Sequence, residues 1–394
     1  MYFSLAIPLY IYILLAGALL LTVATGLWQW LQARRLARFV QRDEPARDYL
    51  DEEQLPSISV VVYAHNDAAS LEQLLPLMLE QDYERYEVIV VDDGSYDDSR
   101  DVVSEMMQSY GNLRLSFSPD DTRSLSRKKL SLMIGIKAAK GDIIVTTNAN
   151  CRVMSNQWLR LLARNFVAGI DVVLGYSHYH YSRDKKPGRY YRIYDTAVTA
   201  RQWVLSAVDG VPYRGVSDNL AYRRQVFFDN AGFSGSIDLR WGDDDVYVSQ
   251  IANGGNTRLE LSPGSQVQAY YDDVARAHNR LKLRRDFTSK LVATRAPFIA
   301  QGFFSTLNYA RVACLVAAVA LDWDNAVVVI LAAVLAVASW AIAIVAFDKS
   351  ARPLQVPKLA LCVPLFAAWR PVVNMVYRLR GIKTKQNNYT SIYD

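Results

Sequence analysis

Two hydrophobic rhythms alternate through the middle of the chain. Residues 57–63 (SISVVVY) form a short apolar run that stops at Ala64-His65-Asn66-Asp67. Leu71, Leu74, Leu75 and Met78 then recur at i, i+3, i+4 and i+7, the spacing of one helix face. A second run, EVIVV at 87–91, ends in Asp92-Asp93-Gly94-Ser95. The pattern predicts a helix over 97–110, a short strand near 113–117, and a third clear strand over 142–147 after the basic segment SLSRKKLSLMIGIKAAK. Strand alternating with helix predicts an α/β domain with a mostly parallel, Rossmann-like sheet. Ligands of such sheets sit outside the carboxyl ends of the strands, and all three runs end there in carboxylate or amide side chains.

Longer apolar stretches flank this domain. Phe3 to Leu31 contains no charge and exceeds the roughly 20 residues that span a bilayer. It is too long for the apolar core of a signal peptide and has no basic segment before it. Residues 303–321 and 325–347 form a second apolar region around Asp322-Trp323-Asp324, read as a hairpin, although Asn308 and Arg311 interrupt its first half. The stretch 359–377 carries Arg370 and Pro371 and leads into RLRGIKTK, which fits an interfacial or re-entrant segment better than a crossing. The expected organisation is an anchor at 1–32, a linker at 33–55, the α/β domain at 56–295, a transmembrane hairpin at 296–350, and an interfacial segment with a basic tail at 351–394. Arg34, Arg35 and Arg38 follow the first span, so the positive-inside rule places the domain in the cytosol.

Composition agrees. Of 394 residues, 51% are apolar, which suits membrane segments added to a folded core. Cys151, Cys314 and Cys362 offer neither a disulfide framework nor a metal-binding CxxC spacing, as expected in a reducing cytosol. The net charge of +5 is mild, and the basic residues cluster beside membrane segments where they can meet anionic lipid. No RNA- or DNA-binding motif is present, which argues against a nucleic-acid partner.

Asp92 and Asp93 suit a turn or a helix cap. Adjacent aspartates at a strand end also suit acceptance of hydrogen bonds from a ribose or a uracil-type base. Gly242-Asp243-Asp244-Asp245 is an acid-rich helix start in which adjacent like charges raise one another's pKa. His178 and His180 share a face if they lie on a strand, but lack the further ligands zinc needs, and read as surface or pocket residues. Tyr190, Tyr191, Tyr194 and Trp203 mark an amphipathic helix at the membrane interface or the acceptor side.

The ordered blocks SISVVVYAHNDAASLEQLLPLMLEQDYERYEVIVVDDGSYDDS, SRKKLSLMIGIKAAKGDIIVTTNANCRVMSNQWL, GVPYRGVSDNLAYRRQVFFDNAGF and GDDDVYVSQIANGGNTRLELSP resemble a membrane-bound, inverting family 2 glycosyltransferase of GT-A fold, over roughly residues 55–295. The resemblance implies that Asp92 and Asp93 hold the nucleoside of a sugar nucleotide, with His65, Asn66 and Asp67 beside the base. It places Asp244 as general base, with Asp243 its neighbour and alternative. At the family's metal-binding aspartate-X-aspartate stands Asn148-Ala149-Asn150, so Mg²⁺ or Mn²⁺ would be held weakly or not at all. The family's glutamine-containing clamp is altered at 281–285, where Arg284 is the best match and could meet the diphosphate charge. The expected activity is transfer of a sugar, in glycan biosynthesis at the inner membrane, from a nucleotide donor to a lipid-linked or membrane-proximal acceptor. The alternative is a degenerate relative serving as a binding or scaffold subunit with an unidentified protein partner.

Overall fold

The computed structural model describes residues 7–119 and 125–383. The first six residues of the expected anchor and residues 384–394 of the expected tail lie outside the described residues. The chain divides into two compact units, one of residues 42–189, 202–294 and 377 onward, the other of residues 1–41, 190–201 and 295–376.

The first unit is the α/β domain. Its strands are β1 (Ile58–Ala64), β2 (Tyr86–Asp92), β3 (Leu113–Phe117), β4 (Ile143–Asn148), β5 (Cys151–Val153), β6 (Val172–Leu174), β7 (Ser177–Tyr179), β8 (Leu220–Arg223), β9 (Thr257–Leu259) and β10 (Val267–Ala269). Seven form one sheet in the order β3-β2-β1-β4-β8-β6-β9, and β5-β10-β7 form a second. In the larger sheet β8 runs antiparallel to β4 and β6, while the other pairings are parallel. Val60, Val61 and Val62 on β1 are fully buried, each contributing on the order of 1.5–3 kcal/mol, which is why the run reads as continuously apolar.

Two features of this sheet position the site. Strand order proceeds 3-2-1 and then reverses to 4, so the crevice at the carboxyl ends opens between β1 and β4. Register aligns the rims of that crevice: Ala64 lies opposite Asp92, and Tyr63 opposite Asn148. The helix Arg127–Ala138 lies close on the sheet because Gly135 has no side chain. A Cβ there would come 2.5 Å from a Val61 methyl and 2.9 Å from one of Val91.

The second unit is helical. Among the described residues three helices are long and apolar enough to cross a membrane, Leu9–Asp43, Ala296–Leu321 and Ala326–Leu354, the three spans that the apolar runs predict. Ile11, Leu15, Ala18, Leu315, Ala318, Val328 and Ala332 form its core, and the alanines allow close approach of the helices. Asn308 and Arg311 are accommodated by pairing: the guanidinium donates to Asn308 Oδ1 at 2.8 Å and to the Ser339 hydroxyl. Tyr194, from the helix Arg189–Val208, stacks on Phe347 with ring centroids 5.3 Å apart. Trp203 of the same helix instead belongs to the α/β unit, where it is buried near Tyr176.

The stretch expected to be interfacial forms the helix Val363–Lys383 with Pro371 inside it. Arg370 is buried and donates to Asp195 Oδ1 at 2.8 Å and Thr199 Oγ1 at 3.1 Å. Removing one partner of a buried ion pair strands the other charge. Arg370→Ala should therefore destabilise this unit by about 3–5 kcal/mol, seen as a lower thermal midpoint of the detergent-purified protein, while the paired change Asp195→Leu, Arg370→Met should recover most of the loss. Equal midpoints for Arg370→Ala and the parent would show that the pair does not hold the unit.

Candidate active site

At the carboxyl end of β2, Asp92 and Asp93 are both buried. Asp92 meets Arg100 Nε at 2.7 Å. Asp93 accepts from Arg127 Nε at 3.0 Å and from the Tyr63 hydroxyl at 2.8 Å. The loop after β1 is tied to the same place. His65 Nδ1 lies 2.7 Å from the Asp93 carbonyl, and Asp67 accepts from the His65 N–H at 2.9 Å. Asn66, in the left-handed region at φ 53°, accepts from the Tyr96 N–H at 2.8 Å. Burial raises the Asp67 carboxyl above its ordinary range. The five residues expected to surround a nucleoside are thus brought together around two adjoining loops.

Across the crevice, Asn148 ends β4 and its amide donates to Asp218 Oδ1. Asn150 precedes β5 and donates to the Tyr270 carbonyl at 2.7 Å, which fixes it to the end of β10. A divalent cation is what the resemblance implies here, and the donor set suits one in kind: two amides and the Asp218 carboxylate are all oxygen donors. In charge the set is poor. Among the described residues no cluster of three His, Cys, Asp or Glu side chains could hold a metal ion.

The third part of the site begins at Gly242, whose φ of 108° no L side chain adopts comfortably and where a Cβ would lie 2.7 Å from Val246. The three aspartates that follow separate into different roles. Asp245 accepts from Arg214 Nε at 2.9 Å and Thr288 Oγ1 at 2.6 Å, both buried, which makes it a structural anchor. Asp243 and Asp244 share the Arg284 guanidinium, at 2.9 Å for Asp243. Asp244 also caps the helix Asp245–Ile251, accepting from the Asp245 N–H at 2.6 Å.

Mutual repulsion does not raise Asp243 and Asp244 alike. Burial is the largest influence on Asp244 and lifts it to about 6, with Asp245 and Asp243 adding to the rise against the opposing pull of Arg284. Asp243 moves the other way: burial would raise it, but Arg284, Lys128 and Lys129 together hold it well below the usual carboxylate range. Arg284, placed by sequence at the diphosphate, is engaged by the acid pair. His178 is buried rather than at the surface and stacks on Tyr181 at 5.6 Å, whereas His180 stacks on Tyr270 at 4.5 Å.

Several site residues escape a reading of motifs. The helix Arg127–Ala138 opens on Arg127-Lys128-Lys129, three cations at the end of a helix that favours anions. That anomaly is the signal available in sequence. Arg127 grips Asp93. Lys128 lies 3.2 Å from Asp243, 2.9 Å from the Ser217 hydroxyl and 5.5 Å from the Tyr63 ring centroid. Lys129 donates to the carbonyls of Ser236, Leu239 and Trp241, holding the loop that delivers Gly242. Burial lowers its ammonium to about 8. Asp93 is thus linked to the Tyr63 hydroxyl by a hydrogen bond, the Tyr63 ring to Lys128 by a cation–π contact, and Lys128 through Asp243 to Arg284 by ion pairs.

Residues 59–228 match Glycosyl transferase family 2. The chain is similar to glycosyltransferase AglE of Haloferax volcanii, 28% identical over 130 residues, which cover 32% of this chain and 41% of that one. It is also similar to the undecaprenyl-phosphate 4-deoxy-4-formamido-L-arabinose transferase of Aeromonas hydrophila, 29% identical over 119 residues covering 29% and 35% of the two chains. The match thus spans less than half the length of either relative. Among solved structures, a mannosyltransferase of Pyrobaculum calidifontis in complex with GDP-Man and Mn²⁺ superposes with a TM-score of 0.58 at 20% identity, covering 93% of this chain and 99% of that one, which is a likeness of fold. The chain therefore carries a glycosyl transferase family 2 domain of GT-A fold over residues 59–228.

Proposed function

We propose that the protein is an inverting glycosyltransferase that moves a sugar from a nucleotide donor to a lipid-linked or membrane-proximal acceptor. The observation that carries this reading is the adjacency of two half-sites, in which Lys128 touches Asp243 and lies beside the Tyr63 ring whose hydroxyl binds Asp93. Arg100 and Arg127 hold Asp92 and Asp93 in fixed orientations, leaving carboxylate lone pairs to accept from the base or ribose. The sugar would then lie between the β4 rim and the acid pair.

Asp244 acts as the base. It takes the proton of the acceptor hydroxyl as that oxygen attacks the anomeric carbon from the face opposite the departing nucleoside diphosphate. Its elevated pKa, near 6, gives it a basicity that Asp243, suppressed by three cations, lacks. Asp243 instead fixes Lys128 and Arg284. Asn148, at the end of β4, would help to hold a divalent cation, which would neutralise charge on the leaving diphosphate.

Membrane helices support an acceptor at the bilayer, as does the similarity to a transferase named for undecaprenyl phosphate. Arg34, Arg35 and Arg38 after the first span favour a cytosolic catalytic domain. In a background lacking native cysteines, single cysteines at positions 51 and 185 should resist impermeant thiol reagents added to intact cells; labelling of either would reverse the orientation. The two amides at the β4 end favour a second reading, a domain that keeps donor binding but has lost turnover. The measurements below separate the two.

Transfer should rise with pH through about 6, roughly tenfold per unit below that value, because only deprotonated Asp244 can act as base. Asp244→Asn should lower transfer by about 10²–10⁴-fold while leaving nucleotide affinity close to the parent's. A flat profile from pH 5 to 8, or a variant as fast as the parent, removes Asp244 from the base role. Nucleotide binding without turnover in the parent supports the second reading.

Calorimetry tests the other rim. Asp93→Ala should abolish nucleoside diphosphate binding and also loosen Arg127, since a guanidinium 19% exposed loses its carboxylate. Unchanged affinity for every nucleotide the parent binds would exclude Asp93 from the donor site.

A further inference from the structure

Charge at the β4 rim is distributed in a way that the strand-end sequence does not disclose. β8 pairs antiparallel to β4 with Thr146 opposite Leu220. Continuing that register by two residues on each strand sets Asp218 directly across from Asn148, and the Asn148 amide does donate to Asp218 Oδ1. The other carboxylate oxygen accepts from the Ser177 hydroxyl at 2.9 Å. Both of these donors are neutral.

That sets Asp218 apart from the five buried aspartates of the crevice. Asp92 has Arg100, Asp93 has Arg127, Asp243 has Lys128 and Arg284, Asp244 has Arg284, and Asp245 has Arg214. Among the described residues no Arg, Lys or His forms an ion pair with Asp218. A half-buried carboxylate without a cation, facing the place where a diphosphate would arrive, repels that ligand unless positive charge comes between them.

We propose that Asp218 is the anionic ligand of a divalent-cation site shared with the side-chain oxygen of Asn148, so that the missing strand-end charge is supplied across the β4–β8 ladder. The inference rests on the donor-site reading above. A cation between the two side chains requires Asn148 to turn its amide, offering Oδ1 where Nδ2 now donates, and the two side chains to part enough to admit the ion. The set is then one carboxylate and one amide oxygen, hard donors suited to Mg²⁺ or Mn²⁺, with diphosphate oxygens and water completing the shell. One protein charge in place of two makes the cation and the diphosphate dependent on each other.

The test uses the detergent-purified full-length protein, its Asp218→Asn variant and the exchange Asn148→Asp, Asp218→Asn, which moves the carboxylate to the other side of the same hydrogen bond. Mn²⁺ binding is read from the electron paramagnetic resonance of the free ion, and GDP and UDP binding by calorimetry with Mn²⁺ or with EDTA. Asp218→Asn should weaken Mn²⁺ binding by about 10–100-fold, and the exchange should restore it, which also shows that the altered rim still folds. Nucleoside diphosphate affinity should fall in Asp218→Asn when Mn²⁺ is present and rise when it is absent, a reversal of sign that a merely structural residue would not give. Unchanged Mn²⁺ affinity in Asp218→Asn, no Mn²⁺ binding by the parent, or tighter diphosphate binding by the variant in both media would overturn the proposal. Loss of Mn²⁺ binding in Asp218→Asn with no nucleotide bound by any protein would uphold the cation site and refute the donor reading instead.

Discussion

Five buried carboxylates converge on the crevice of the α/β unit, and the fold around them is arranged so that each meets a cation. An unpaired buried charge would cost several kcal/mol, so Arg100, Arg127, Lys128, Arg214 and Arg284 are as much a condition of folding as of chemistry. Compensation also differentiates. Asp243, beside three cations, becomes a firm anion, whereas Asp244, one residue away and capping a helix, is carried upward by burial. Two neighbours with the same side chain therefore come to differ in their hold on a proton, Asp243 far weaker than Asp244.

The fold was legible where strands are buried on both faces. β1, β2 and β4 appear in sequence as unbroken apolar runs, and their polar ends mark the crevice within a residue. The smaller sheet was not legible. β5, β7 and β10 have three residues each, too few for a period of two to emerge from chance. The site divides in the same way. Asp92, Asp93, Asp243 and Asp244 stand in runs that attract notice by themselves. Arg127 and Asp218 acquire meaning only from partners 34 and 70 residues away, through register and helix placement.

The helical unit follows a different economy of polar groups. Its apolar surface is extensive, with Leu9, Leu20, Val316 and Val337 among the exposed side chains, as suits helices bathed in hydrocarbon. Several charged or amide groups within it pair across the helices: Arg311 with Asn308 and Ser339, Arg370 with Asp195 and Thr199, Arg201 with Ser350. Residues that interrupt an apolar pattern in sequence thus become cross-links between helices.

The first turn of the helix Arg127–Ala138 grips three things at once: Asp93 through Arg127, Asp243 through Lys128, and the loop before Gly242 through Lys129. Its middle is pressed against β1 and β2 at Gly135, so the turn cannot yield by tilting the helix inward. It works as a common bearing for both halves of the crevice. Any displacement of Arg127 from Asp93 therefore loads the same short rod that sets the position of the acid pair, and the two rims of the crevice are mechanically tied through one helical turn.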